Sequence, residues 1–300
     1  MSTLASQPAL AAASEHTMSC MEVWGGNTAV DNGVVMPGLD VWVFGRPYAG
    51  EHSGGDVHYV SSCASGRITR LLVADVSGHG IQVNDVALRL RSLMRRFVNT
   101  IKQGRFVADL NREFAGLTDS GCFATAAVAT YFEPTRTLTL SLAGHPRPLV
   151  YRAGEKRWTV LDSAATLSDE PRNLPLGVLD DTDYDESKLR LGPGDLVLFY
   201  TDSVMEVRTA DRKLLGESGL LQLLNSIADA ATNPAELIRT FFDRVRAVGG
   251  EPDDDVTLLL LRPNTLSPRS EILALWNVVR VSVRGWFSRH SGADSASIGA

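Results

Sequence analysis

Cysteine is scarce in this chain of 300 residues: Cys20, Cys63 and Cys122 are scattered, odd in number and form no CxxC pair. That excludes a zinc ribbon and the disulfide framework of a small secreted domain. No stretch approaches the ~20 consecutive apolar residues that a membrane-spanning helix needs. The first seventeen or so residues have neither a basic start nor a continuous apolar core, so they make a poor signal peptide. Positive charge is not in excess either. Against 35 Asp and Glu stand 29 Lys and Arg, a net charge of −6, and general nucleic-acid binding leaves the opposite, basic footprint. There is no internal repeat, no GxSxG nucleophile elbow and no cysteine-based phosphate loop. These absences lead us to expect a cytoplasmic, water-soluble protein that does not bind nucleic acid.

What is present is globular. The chain is 44% hydrophobic and 21% charged, and a chain of this length buries roughly 70–75% of its unfolded surface without needing a metal or disulfide merely to fold. Residues 1–22 are small and polar and are expected to be disordered. Beyond them, Leu39–Phe44, Val57–Ser62 and Ile68–Val76 are short β-branched or aromatic runs between glycine-rich breaks, the pattern of strands. From Ile81 to Ile101 apolar residues recur at three- and four-residue steps, which predicts an amphipathic helix, and a second is expected over Arg105–Leu117. Phe123–Phe132 and Leu138–Ala143 flank the turn sequence Glu133-Pro134-Thr135-Arg136, a hairpin signature. Leu149–Tyr151, Trp158–Leu161 and Leu196–Tyr200 continue the strands. Two helices, Glu217–Ala228 and Pro234–Val248, follow, with Asn233 placed to cap the second and Glu236 at the capping-box position. The run Val256–Leu261 closes as a buried strand. Strands, a helix pair, strands, a helix pair and a strand do not make the βαβα alternation of a parallel sheet. The order predicts an α+β fold with antiparallel sheets covered by helix pairs.

Certain acids fall at strand ends. Asp56 follows Gly54-Gly55, Asp75 ends the strand before Val76-Ser77-Gly78-His79-Gly80, Asp202 follows Tyr200-Thr201, and Asp254 and Asp255 immediately precede the last strand. A carboxylate at the lip of a buried strand is costly unless hydrated, paired or on a metal. Several on one rim repel unless cations sit between them. Oxygen donors of this kind suit Mg²⁺ or Mn²⁺ rather than zinc. Aspartate beside glycine or before a turn also caps turns, however, and spacing by itself does not choose between the two roles.

Six segments in order carry a resemblance: Gly54-Gly55-Asp56; Ala74-Asp75-Val76-Ser77-Gly78-His79-Gly80; Ala143-Gly144-His145-Pro146-Arg147-Pro148-Leu149; Leu174-Pro175-Leu176-Gly177-Val178; Tyr200-Thr201-Asp202-Ser203-Val204-Met205-Glu206; and Asp254-Asp255-Val256-Thr257-Leu258-Leu259. Together they resemble the SpoIIE/RsbU-type branch of the PP2C (PPM) metal-dependent protein phosphatases. The resemblance implies a PPM-type αββα sandwich over residues 23–263, holding two Mn²⁺ or Mg²⁺ ions. It implies Asp75 as the carboxylate shared by both ions, with the Val76 backbone carbonyl, Asp202, Asp254 and Asp56 as further ligands. Asp255 and Gly78 are implied as supporting neighbours, and His79 as a candidate general acid. Such a protein hydrolyses phosphoserine or phosphothreonine through an activated water. In this branch the implied setting is bacterial partner switching, with a phosphorylated STAS-domain anti-sigma-factor antagonist as substrate.

Three positions depart from the branch pattern: Ser203 stands where glycine commonly follows the aspartate, Pro146 where asparagine is frequent, and the helix after Gly80 starts with the polar Gln82, Asn84 and Asp85. If position 203 has φ > 0, serine there costs on the order of 1 kcal/mol. The alternative reading is therefore a catalytically weak or inactive phosphatase fold that serves as a binding module. Residues 264–300 form a tail. Within it, Ile272, Leu275, Trp276, Val279, Val283 and Trp286 recur at helical spacing over 270–289. That helix is a candidate for docking on the body, for a homodimer contact, or for peripheral membrane association.

Overall fold

The alternation of apolar residues along each strand decides which layer it faces, and two such layers stack here. The computed structural model describes residues 15–18, 22–77, 81–116, 122–162, 171–228 and 233–266. Gly78, His79 and the helix expected at 270–289 lie outside these residues. The strands are β1 (Glu15–Thr17), β2 (Val23–Thr28), β3 (Val30–Met36), β4 (Leu39–Arg46), β5 (Ser53–Cys63), β6 (Ile68–Val76), β7 (Ala124–Phe132), β8 (Thr137–Ala143), β9 (Leu149–Arg152), β10 (Arg157–Val160), β11 (Ser187–Arg190), β12 (Leu196–Tyr200) and β13 (Val256–Pro263). The helices are α1 (Ile81–Arg96), α2 (Gln103–Ala115), α3 (Ser203–Glu206), α4 (Gly216–Ser226) and α5 (Pro234–Gly249).

One sheet has seven strands in the order β1-β3-β4-β13-β12-β9-β10, and the other six in the order β11-β8-β7-β6-β5-β2. The pairings are antiparallel except for β1 with β3. The run Leu258-Leu259-Leu260-Leu261 shows why β13 is apolar on both faces. Leu259 and Leu261 join Val41, Val43, Leu71, Val73 and Phe199 in a core between the sheets. Leu258 and Leu260 instead pack with Leu220, Leu224, Phe241 and Val245 of α4 and α5. A third core sets Leu72, Ala74 and Val128 against Leu90, Met94, Phe106 and Leu110 of α1 and α2. Each fully buried leucine contributes about 1.5–3 kcal/mol, and the four layers are the αββα sandwich expected.

Local signals behave as their chemistry dictates. The Glu133–Thr135 turn closes β7 on β8 with Arg136 at φ +51, and Asn233 Oδ1 accepts the Glu236 N–H at 3.4 Å to cap α5. Two differences have physical causes. The helix expected to reach Ile101 stops at Arg96, and Ile101 is 73% exposed, because the Thr100 carbonyl turns inward to accept from the buried Arg70 guanidinium. Part of the segment expected to be disordered, Glu15–Thr17, pairs with Gly33–Val35 and seats Met18 in the inter-sheet core. A single well-placed methionine and a free sheet edge suffice to anchor that stretch.

Candidate metal centre

The strands carrying the acids end at one shared edge of the two sheets. Asp56 and Asp75 are direct partners in the β5–β6 ladder. Asp202 follows β12, and Asp254 and Asp255 precede β13, its neighbour in the other sheet. Five acids widely separated in sequence are thus brought to one rim, four of them at increasing depth from the exposed Asp254, through the intermediate Asp202 and Asp75, to Asp56 at 6% exposure.

Their titration records the crowding. Burial, and then the charge of Asp75, hold Asp56 well above the usual carboxylate range. Asp75 is pushed up to about 7 by burial and by the charges of Asp202, Asp254, Asp255 and Glu206. Asp202 is raised by burial and by Asp254. Glu206, which the sequence left without a role, is raised by burial and by Asp202 and Asp254. Among the described residues none of these acids forms an ion pair with Arg, Lys or His.

Asp255 is occupied differently. Its Oδ1 accepts the Tyr48 N–H at 2.7 Å, and its Oδ2 accepts the Gly55 N–H at 2.6 Å and the Asp56 N–H at 3.4 Å. Its own N–H donates to Asp254 Oδ1 at 2.8 Å. A carboxylate engaged by three main-chain donors fixes the start of β5 rather than facing outward. This geometry also explains the two glycines before Asp56. A Cβ on Gly54 would stand 1.9 Å from Asp255 Oδ2, and one on Gly55 would stand 2.8 Å from the Val76 carbonyl oxygen and 3.5 Å from Asp75 Oδ1. Behind Asp56, the Thr201 hydroxyl donates to its Oδ2 at 2.8 Å and itself accepts the Thr257 N–H at 2.9 Å. Thr201 was not singled out from the sequence, where its position beside Asp202 was the available signal.

Ser203 opens α3 and is absent from the residues with positive φ, so the left-handed strain considered for this position does not arise. The polar start of α1 also has a partner, since Asn84 Oδ1 accepts from Asn27 Nδ2 of β2 at 2.6 Å. Leu176 bridges to Ala124, and the Gly177 N–H donates to Asn111 Oδ1 at 2.8 Å, so the Leu174–Val178 segment is tied to β7 and α2.

The donor set suits a hard divalent cation: carboxylates with no cationic side chain paired to them among the described residues, beside a main-chain carbonyl kept clear by a glycine. Among the described residues, no three His, Cys, Asp or Glu side chains already close on a single point.

A sandwich of two antiparallel sheets between helix pairs is the fold shared with solved PP2C phosphatase domains. The sequence narrows the class. The family profile of Stage II sporulation protein E (SpoIIE) matches residues 65–264, and the chain belongs to that family. It is 27% identical over 226 residues to phosphoserine phosphatase RsbU of Bacillus subtilis (strain 168), an alignment covering 75% of this chain and 63% of that protein. The chain thus spans less than two thirds of that relative's length. The structure of the RsbU and RsbW domains of Rv1364c from Mycobacterium tuberculosis superimposes with a TM-score of 0.65 at 26% identity, over 87% of this chain and 71% of that one. The PP2C phosphatase domain of SpoIIE from Bacillus subtilis, with a fragment of its regulatory domain, shares the fold with a TM-score of 0.60 at 14% identity, over 82% of this chain and 64% of that one.

Proposed function

We propose that this chain is a divalent-cation-dependent protein serine/threonine phosphatase acting on a phosphorylated partner-switching protein. The observation that carries the reading is the rim itself, where acids from both sheets raise one another's pKa with no side-chain cation paired to them among the described residues. Asp75, Asp202, Asp254 and Asp56, with the Val76 carbonyl, would hold two Mn²⁺ or Mg²⁺ ions. When bound, such ions neutralise a phosphoryl group and acidify water near neutral pH. The chain's own residues prepare the site. Thr201 orients Asp56 through its hydroxyl, and Asp255 pins the Gly55–Asp56 main chain beneath it. His79 remains the candidate proton donor to the leaving serine or threonine alkoxide.

The relative's name as a phosphoserine phosphatase, and the joining of RsbU and RsbW domains in one chain of the structural neighbour, support a substrate of the anti-sigma-factor antagonist type with a STAS fold. The ordinary backbone at Ser203 removes the main reason to read the fold as an inactive binding module. The test is hydrolysis of an aryl phosphate and of a phosphoserine STAS protein, with Mn²⁺, with chelator, and by Asp202→Asn. Chelation and the substitution should each lower turnover at least about a hundredfold. Turnover that survives both would refute the metal mechanism, and aryl phosphate hydrolysis without action on any phosphoprotein would refute the assigned substrate.

A further inference from the structure

His145 lies in the Gly144-His145-Pro146 turn between β8 and β9 and is 7% exposed. Its Nδ1 is 2.9 Å from Thr125 Oγ1. Its Nε2 has no hydrogen-bond partner of normal geometry among the described residues, although the Tyr200 main chain lies near enough to the ring to favour its protonated form. Burial outweighs that influence and pushes the imidazole down to about 3. The ring is therefore neutral near pH 7, with one nitrogen donating and the other accepting. The turn is held firmly. Gly144 adopts φ +63, its N–H donates to the Asn173 carbonyl at 2.8 Å, and a Cβ there would stand 2.5 Å from Pro175 Cγ.

Strands of both sheets end near this ring. In the six-stranded sheet Asp75 and Thr125 are direct cross-strand partners, with Cβ atoms about 5 Å apart in such pairs. In the seven-stranded sheet β9 pairs with β12 through Leu196↔Tyr151, Val197↔Val150 and Leu198↔Leu149. Pro148 and Pro146, which have no N–H to donate, interrupt that ladder. β12 itself ends at Tyr200, two residues before Asp202, whose backbone is already helical. The His145 ring thus bonds the rung partner of Asp75 and lies beside the main chain of Tyr200, two residues before Asp202.

We propose that His145 is a positioning residue that clips the Thr125 end of β7 to the Tyr200 end of β12, fixing the gap between Asp75 and Asp202 and thereby the affinity of the rim for a divalent cation. Thr125 Oγ1–H donates to Nδ1, and the Nε2–H is presented to the Tyr200 carbonyl. The inference rests on the metal reading above and deepens it.

The test is calorimetric titration of the metal-free protein with Mn²⁺, with no turnover required. His145→Ala and Thr125→Val should each raise the Mn²⁺ dissociation constant about tenfold, as loss of a partner that orients ligands does. The double variant should be no worse than the more affected single, because both remove one link. His145→Asn, whose amide oxygen can take the place of Nδ1 but which has no group at the Nε2 position, should recover the affinity only in part. A histidine that merely fills the core would lower the melting temperature in chelator and leave Mn²⁺ binding untouched. Unchanged dissociation constants in both single variants would overturn the proposal, and so would fully additive losses in the double variant. Thr125→Val keeps the experiment decisive should His145→Ala fold poorly. A wild-type protein that takes up no Mn²⁺ would instead overturn the metal reading itself.

Discussion

Replacing Asp75 by asparagine should make the metal-free protein more stable while destroying its site. Burial and four neighbouring acids lift this carboxyl from the ordinary 3.8 to about 7. Each pKa unit corresponds to about 1.4 kcal/mol between the two protonation states, so a charged Asp75 costs the folded chain up to about 4 kcal/mol, and about 2 kcal/mol if half is relieved by water at the rim and by adjustment of its neighbours. The sign follows from which state holds the proton. Below about pH 4 folded and unfolded chains are both protonated at Asp75, and nothing is lost. Between about pH 4 and 7 the unfolded chain has released its proton and the folded chain has not, so stability falls as pH rises, and above pH 7 the whole penalty is present. Asparagine has no such slope.

Urea unfolding in chelator should therefore show no difference between wild type and Asp75→Asn near pH 4. By pH 8 the variant should gain about 2–4 kcal/mol, a midpoint shift of about 1 M for a chain of this size. The buried His58 and His145, lowered to about 4 and about 3 chiefly by burial, act in the opposite direction. The unfolded chain takes up their protons first, so stability falls as pH drops below about 6.5. They are present in both proteins and cancel in the comparison. Mn²⁺ should reverse the order, since a ligand at a hundred times its dissociation constant adds about 2.7 kcal/mol to the state that binds it. An Asp75→Asn protein equal to or weaker than wild type at pH 8 in chelator would refute the repulsion argument.

Gly55→Ala places a methyl group 2.8 Å from the Val76 carbonyl oxygen, a main-chain atom that moves only with its strand. A stability loss of about 1–3 kcal/mol and weaker Mn²⁺ binding are expected from melting and titration, and an unperturbed variant would mean that the cradle is looser than described. Ser203→Gly, which restores the more frequent residue of the branch, should bring no gain. Because position 203 is helical, glycine there should cost about 0.5–1 kcal/mol in thermal unfolding, and a stabilised variant would contradict that backbone conformation.

Much of the fold was legible because its strands carry their pattern locally. Val256–Leu261 and Ile68–Val76 are apolar on both faces because both faces are buried, and the Glu133–Arg136 turn states its hairpin outright. The strands missed were those without such a pattern. β2 reads VWGGNT and β3 reads VDNGVVM, glycine- and polar-rich segments that pair because neighbouring strands offer open edges, not because of their own propensity. β11, SKLR, has one buried leucine, Leu189, and pairs with β8 at the edge of its sheet. At the rim the acids were visible as residue types at strand ends. What supports them was not, since Thr201 reaches Asp56 across 145 positions and Asp255 reaches Gly55 across 200. Hydroxyl and main-chain partners leave no mark in one sequence when the contact is made by tertiary folding.

The distribution of those supports distinguishes the acids from one another. Asp56 lies deepest and receives the Thr201 hydroxyl, which lowers its pKa against the burial that raises it. Asp255 is buried and receives three main-chain donors. Asp202 is steadied by its own main chain and that of Ser203. Asp75 is raised by burial and by four carboxylates, with no opposing influence among the described residues. Among the described residues no hydrogen bond to its carboxylate relieves it. The fold gives donors to the acids around Asp75 but, among the described residues, none to Asp75 itself. A buried charge in that position either keeps its proton or meets a cation. The resemblance makes Asp75 the carboxylate shared by both ions, and that is the residue for which the chain itself supplies the least.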